Sequence, residues 1–189
     1  MSRLAIFIDG GYIDKIAREF GIWVNYVKFV NEIVFTVSSK TPNAIDLLRT
    51  YYYDCLPYQS DPPTDNERER FASKRKFFSR LGYIERFQVR EGRLARRGFD
   101  TNGKPIFQQK RTDLLLGLDF ALLSSKRTIT HAVLVAGDSD FLPAVEVAKQ
   151  EGIAVWLFHG LTPARELWLA ADERSELDQD FMNRVARNR

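Results

Sequence analysis

The chain has 189 residues, 44% of them hydrophobic and 13% aromatic, with a formal net charge of +3. That supplies enough apolar material for one packed domain over 1–189, and the longest apolar runs, such as Ala132–Ala136 and Ile153–Phe158, are too short to cross a bilayer. Cys55 is the lone cysteine, which excludes an internal disulfide, and with only two histidines it argues against a zinc centre.

Taken in order, Arg3–Asp9 is a continuous apolar run ending in Asp-Gly-Gly, the pattern of a buried parallel strand opening into a turn. Helices are expected over Tyr12–Phe20 and Tyr26–Val37, the second with Val27, Val30, Val34 and Val37 on one face. Ile45–Tyr53 reads as a second core strand. Leu56–Asn66, with three prolines, reads as a loop, and Thr64–Leu81 as a long charged helix. Tyr83–Val89 alternates like a strand, and a turn is expected at Gly92. Arg93–Phe99 and Lys104–Phe107 then flank Asp100-Thr101-Asn102-Gly103 as a β-hairpin. A helix over Thr112–Ser124 leads to a strand at His131–Ala136, a helix at Ser139–Gln150, a strand at Ile153–Phe158 and helix from Pro163. Strands alternating with helices imply crossover connections, hence an α/β fold around a mostly parallel sheet, with a basic hairpin inserted at about 83–109.

The charge is unevenly spread. Between Arg68 and Arg111 stand 14 Lys/Arg against 4 Asp/Glu, and both flanks are acidic. A basic middle suits a polyanionic partner, although a solvated helix face would look the same. Carboxylates, in contrast, gather where an α/β sheet binds ligands, beyond the carboxyl ends of its strands. Asp9 ends the first strand, Asp138 and Asp140 follow the strand that closes on Ala136, and Asp113 opens a helix. Alone, Asp113, Asp138 or Asp140 could simply cap a helix, and Asp9 could form a turn. Together they make an oxygen-only set, whose repulsion a hard divalent ion, Mg²⁺ or Mn²⁺, would relieve. They converge only if the first and fourth strands lie side by side.

Leu4–Tyr12 (LAIFIDGGY), Lys110–Asp119 (KRTDLLLGLD) and His131–Pro143 (HAVLVAGDSDFLP) together resemble the NYN domain, a branch of the PIN-like nuclease superfamily, and its bacterial LabA-like members in particular. The resemblance implies a three-layer α/β/α domain and a metal-dependent nuclease, most simply a ribonuclease acting on RNA. Asp9, Asp113, Asp138 and Asp140 would be its metal-binding and catalytic acids, and Ser139 would position substrate or water. Many members carry Asn three residues after the first aspartate; here Tyr12 stands there and becomes a candidate substrate contact. The alternative is an RNA-binding regulatory module of the same fold without turnover.

Lys110 and Arg111 could hold a backbone phosphate beside Asp113, and Arg93, Arg96 and Arg97 could track a nucleic-acid strand. Asp119, about 240° round the helix from Asp113, should be peripheral. A haloacid-dehalogenase phosphatase would need an acid two residues after Asp9, where Gly11 stands, and a dinucleotide fold would need a glycine-rich run that is missing. The location expected is cytoplasmic, with no membrane partner, and the apolar C-terminal helices could support a homodimer.

Overall fold

The computed structural model describes residues 2–99, 105–110 and 112–187, with side chains described everywhere in that span except 93–110. Among the described residues seven strands form one sheet in the order β4-β3-β2-β1-β5-β6-β7. They are β1 Ser2–Asp9, β2 Ile45–Cys55, β3 Phe87–Phe99, β4 Pro105–Lys110, β5 His131–Val135, β6 Ala154–His159 and β7 Glu173–Glu176. Six run parallel, and only the edge strand β4 is antiparallel to its neighbour. Seven α-helices are described: α1 Gly10–Glu19, α2 Tyr26–Lys40, α3 Asp65–Gly82, α4 Thr112–Ser125, α5 Leu142–Gln150, α6 Arg165–Ala170 and α7 Gln179–Arg184.

Alternation along β1 explains the layering. Leu4, Ile6 and Ile8 point to one face and pack with Phe29 and Ile33 of α2, Phe78 of α3 and Phe181 of α7. Ala5 and Phe7 point to the other and meet Leu116 and Phe120 of α4, Val145 of α5 and Leu167 of α6. A strand covered on both faces must be apolar at every position, which is why β1 reads as an unbroken run. The sheet is therefore sandwiched between two helical layers, as expected.

The expected side-by-side placement holds: β1 lies between β2 and β5, with Ile8 opposite both Tyr52 and Val135. From β1 the chain goes to β2 on one side and later returns to β5 on the other. Such a reversal opens a crevice at the carboxyl ends of the two strands.

Three local expectations are corrected. Tyr83 caps α3 and is exposed, so β3 begins only at Phe87. Gly92 makes no turn; it pairs with Cys55 inside a continuous β3 whose far half pairs with β4 as a ribbon. The ribbon thus grows out of a central-sheet strand, because pairing with β2 holds Gly92 extended. Beyond Pro163 the chain is not all helix: Glu173–Glu176 forms β7 on β6. The Asp100–Lys104 turn lies outside the described residues.

Candidate metal centre

Asp9 ends β1 and caps α1, its Oδ1 accepting the Tyr12 N–H at 3.1 Å. Burial pushes its carboxyl pKa from 3.8 up to about 6. The Tyr12 amide opposes that rise, while the negative charges of Asp113 and Asp54 add to it. Asp113, in the first turn of α4, is exposed, and partial burial raises its pKa, helped by the fields of Asp138 and Asp140. Asp138 follows β5 and caps the 3₁₀ turn Ser139–Phe141, with Oδ1 accepting the Asp140 N–H at 3.1 Å. Ser139 lies half-buried between these two exposed acids. Asp9 thus feels Asp113, and Asp113 feels Asp138 and Asp140, with Asp9 and Asp138 standing just past the carboxyl ends of neighbouring β1 and β5. Among the described residues no three side chains close to metal-binding distance.

Tyr12 turns its hydroxyl to the Gly160 N–H, accepting at 2.9 Å. Its ring lies so close to Gly137 that a Cβ there would sit 2.4 Å from Tyr12 Cε2. A side chain at 137 would displace the Tyr12 ring from its bond to Gly160, and Tyr12 packs against the turn that carries Asp138. His159 is buried with Nδ1 2.7 Å from the Gly160 carbonyl, and His131 lies at the opposite end of β5, bonded to Thr130. The side chains of Lys110, Arg93, Arg96 and Arg97, and all of Arg111, lie outside the described residues.

Residues 3–178 match the NYN domain family. The chain belongs to the NYN family. NYN domains are a branch of the PIN-like nuclease superfamily, generally hydrolases that act on nucleic acid and use divalent metals. An uncharacterised protein of Sinorhizobium fredii, y4oD, is 38% identical to this NYN chain over 77 residues, which span 38% of the chain and 36% of that relative's length. No described helix is long and apolar enough to cross a membrane.

One acid beside the NYN quartet escaped the sequence reading. Asp54 is buried at the end of β2, one residue past the partner of Asp9. It accepts from the Cys55 N–H at 2.6 Å, from Tyr52 Oη at 3.2 Å and from Lys74 Nζ at 2.5 Å. The signal was available, since an acid ending a core strand is the same cue that marked Asp9; ending β2 at Tyr53 hid it. Its three donors make it a satisfied structural charge. Asp119 is engaged elsewhere, taking two hydrogen bonds from Arg90 at 2.7 and 2.8 Å and one from Tyr53 Oη at 2.9 Å.

Proposed function

We propose that this NYN chain is a metal-dependent ribonuclease, acting in the cytoplasm and using Mg²⁺ or Mn²⁺ held by Asp9, Asp113, Asp138 and Asp140. The observation that carries the reading is a succession of like-charge neighbours, Asp9 beside Asp113 and Asp113 beside Asp138 and Asp140, with β1 and β5 paired side by side. The set fits a hard divalent ion: its donors are all carboxylate oxygens, and burial already penalises the charge on Asp9. Such an ion would supply an activated water and charge stabilisation at the leaving oxygen. Asp113 and the Asp138–Asp140 turn would close by rotamer changes at exposed side chains, while Asp9 stays fixed by its Tyr12 hydrogen bond. Tyr12 keeps the Gly137 turn in place, and Ser139 faces substrate or water. Lys110 and Arg111 would hold the phosphate, and Arg93, Arg96 and Arg97 the flanking backbone.

Single-stranded RNA and DNA incubated with Mg²⁺, Mn²⁺ or EDTA test this directly. Cleavage should need a metal, favour RNA, and fall roughly 100-fold or more in Asp138→Asn, the scale of losing transition-state charge stabilisation. A folded Asp138→Asn protein that cuts at the wild-type rate would sink the reading. The commitment of the Tyr12 hydroxyl to Gly160 and the spread of the carboxylates favour a second reading, an RNA-binding module without turnover. Salt-sensitive binding with no cleavage under either metal is its signature. A homodimer belongs to the same proposal, and Leu114, Leu118 and Leu122, exposed at helical spacing on α4, are the surface that supports it.

A further inference from the structure

Away from the carboxylates, a cleft of about 440 Å³ opens between α3 and the segment joining α1 to α2. Trp23 stands on its rim and is 83% exposed. The backbone beneath that indole is held firmly: the Trp23 carbonyl accepts from the Arg187 N–H at 2.7 Å, and Val24 bridges to Ala186. An indole left in water above a hydrogen-bonded backbone offers an open face for stacking. Facing it, Arg70, Lys74, Phe77 and Arg80 recur along one side of α3, and Arg187 completes the lining. Lys74 is committed to Asp14 and Asp54, so the one acid of the cleft, Asp14, is already paired. Arg70, Arg80 and Arg187 have no ion-pair partner among the described residues. The cleft therefore combines one exposed aromatic face with three unneutralised guanidinium groups. Through Lys74 and Asp54 it connects with the end of β2, one residue from the strand partner of Asp9.

We propose that this cleft anchors a single-stranded stretch of nucleic acid, with one unpaired base stacked on Trp23 and the neighbouring phosphates on Arg70, Arg80 and Arg187. The proposal deepens the nuclease reading and rests on it for the substrate class. A single strand is specified because an indole can stack only on a base freed from its duplex, and stacking with phosphate contacts is how sequence-neutral single-strand sites work. Nothing in that chemistry reads a 2′-hydroxyl, so RNA and DNA single strands should bind alike at this cleft.

The test uses the full chain in EDTA, with fluorescein-labelled oligo(U), oligo(dT) and a blunt duplex followed by anisotropy across a salt series. Trp23→Ala should weaken both single strands roughly 5- to 150-fold, the range for removing one stacking side chain, and leave the duplex nearly unchanged. Trp23→Phe should recover most of the loss. Arg70→Ala combined with Arg80→Ala should lower the salt slope by roughly 1.4, since each single-strand phosphate contact contributes about 0.7. Unchanged single-strand affinity in Trp23→Ala, an equal loss for duplex and single strand, or no single-strand binding by the wild type would each overturn the proposal. Because binding is read without turnover, its outcome is independent of whether added Mn²⁺ brings about cleavage.

Discussion

At the scale of single residues, Asp9 does two jobs that conflict. As the cap of α1 it accepts the Tyr12 N–H, and as a half-buried carboxylate it carries a charge its surroundings resist, with a pKa pushed to about 6. Below pH 3.8 it is protonated in both the folded and the unfolded chain and costs nothing. As pH rises through 3.8 to 6 the unfolded chain gives up the proton first, so the folded state loses stability, and above 6 the whole penalty is present. A shift of this size corresponds to an upper bound of about 3 kcal/mol. Asn caps a helix as well as Asp, so Asp9→Asn removes the charge and keeps the cap. In EDTA the variant should melt close to the wild type near pH 4 and several degrees above it from pH 6.5 upward. Added Mg²⁺ should then stabilise the wild type alone. Parallel melting curves across that pH range would show that Asp9 is not a strained charge.

Elements differ in how far they announce themselves, and the reason is local against long-range determination. β1, β5 and β6 are buried on both faces, so their apolar runs stand out in any reading of the chain, and with them the positions of Asp9 and Asp138. β7 is Glu-Arg-Ser-Glu, polar throughout; only pairing with β6 makes it a strand, and no pattern within four residues can say so. β3 was misread at Gly92 because glycine's local preference for turns is overridden by its place opposite Cys55. Likewise the acids of the crevice could be guessed from strand ends, whereas Trp23 facing α3 depends on packing between distant segments. α4 shows the same division inside one helix. Helical geometry alone sets Asp119 apart from Asp113 but does not say what it holds: Asp119 ties α4 to β2 through Tyr53 and to β3 through a two-pronged hydrogen bond from Arg90. Asp119→Ala strands a guanidinium and a phenol, and should cost about 1–3 kcal/mol in urea denaturation. Metal-dependent cleavage should survive at temperatures where the variant is folded. Loss of cleavage without loss of stability would move Asp119 into the reacting centre.

For the whole molecule, two helical layers close the sheet and both leave some apolar side chains outside, Val27 and Phe35 on α2 and three leucines on α4. In the layer of α4, α5 and α6, Leu116 and Phe120 of α4 point inward, while Leu114, Leu118 and Leu122 form an outward stripe, each residue half exposed or more. Apolar residues at i, i+4 and i+8 on a solvent face suit contact with a second copy, whose identical stripe is self-complementary under a two-fold axis. Size limits the strength of that contact. Three partly exposed leucines offer on the order of a few hundred Å², far below the ~800 Å² each partner buries in a stable complex. The C-terminal helices, where the sequence suggested a dimer, add exposed Trp168 and Leu169 on α6, but the Trp168 ring is already covered on one side by Arg174, 4.1 Å from its centroid. The proposed homodimer should therefore be a weak, concentration-dependent pair. Sedimentation velocity should show a monomer at low micromolar protein and a shift toward dimer at hundreds of micromolar, and Leu118→Glu should abolish the shift without lowering the melting temperature. A Leu118→Glu chain that still associates would place the contact on another surface.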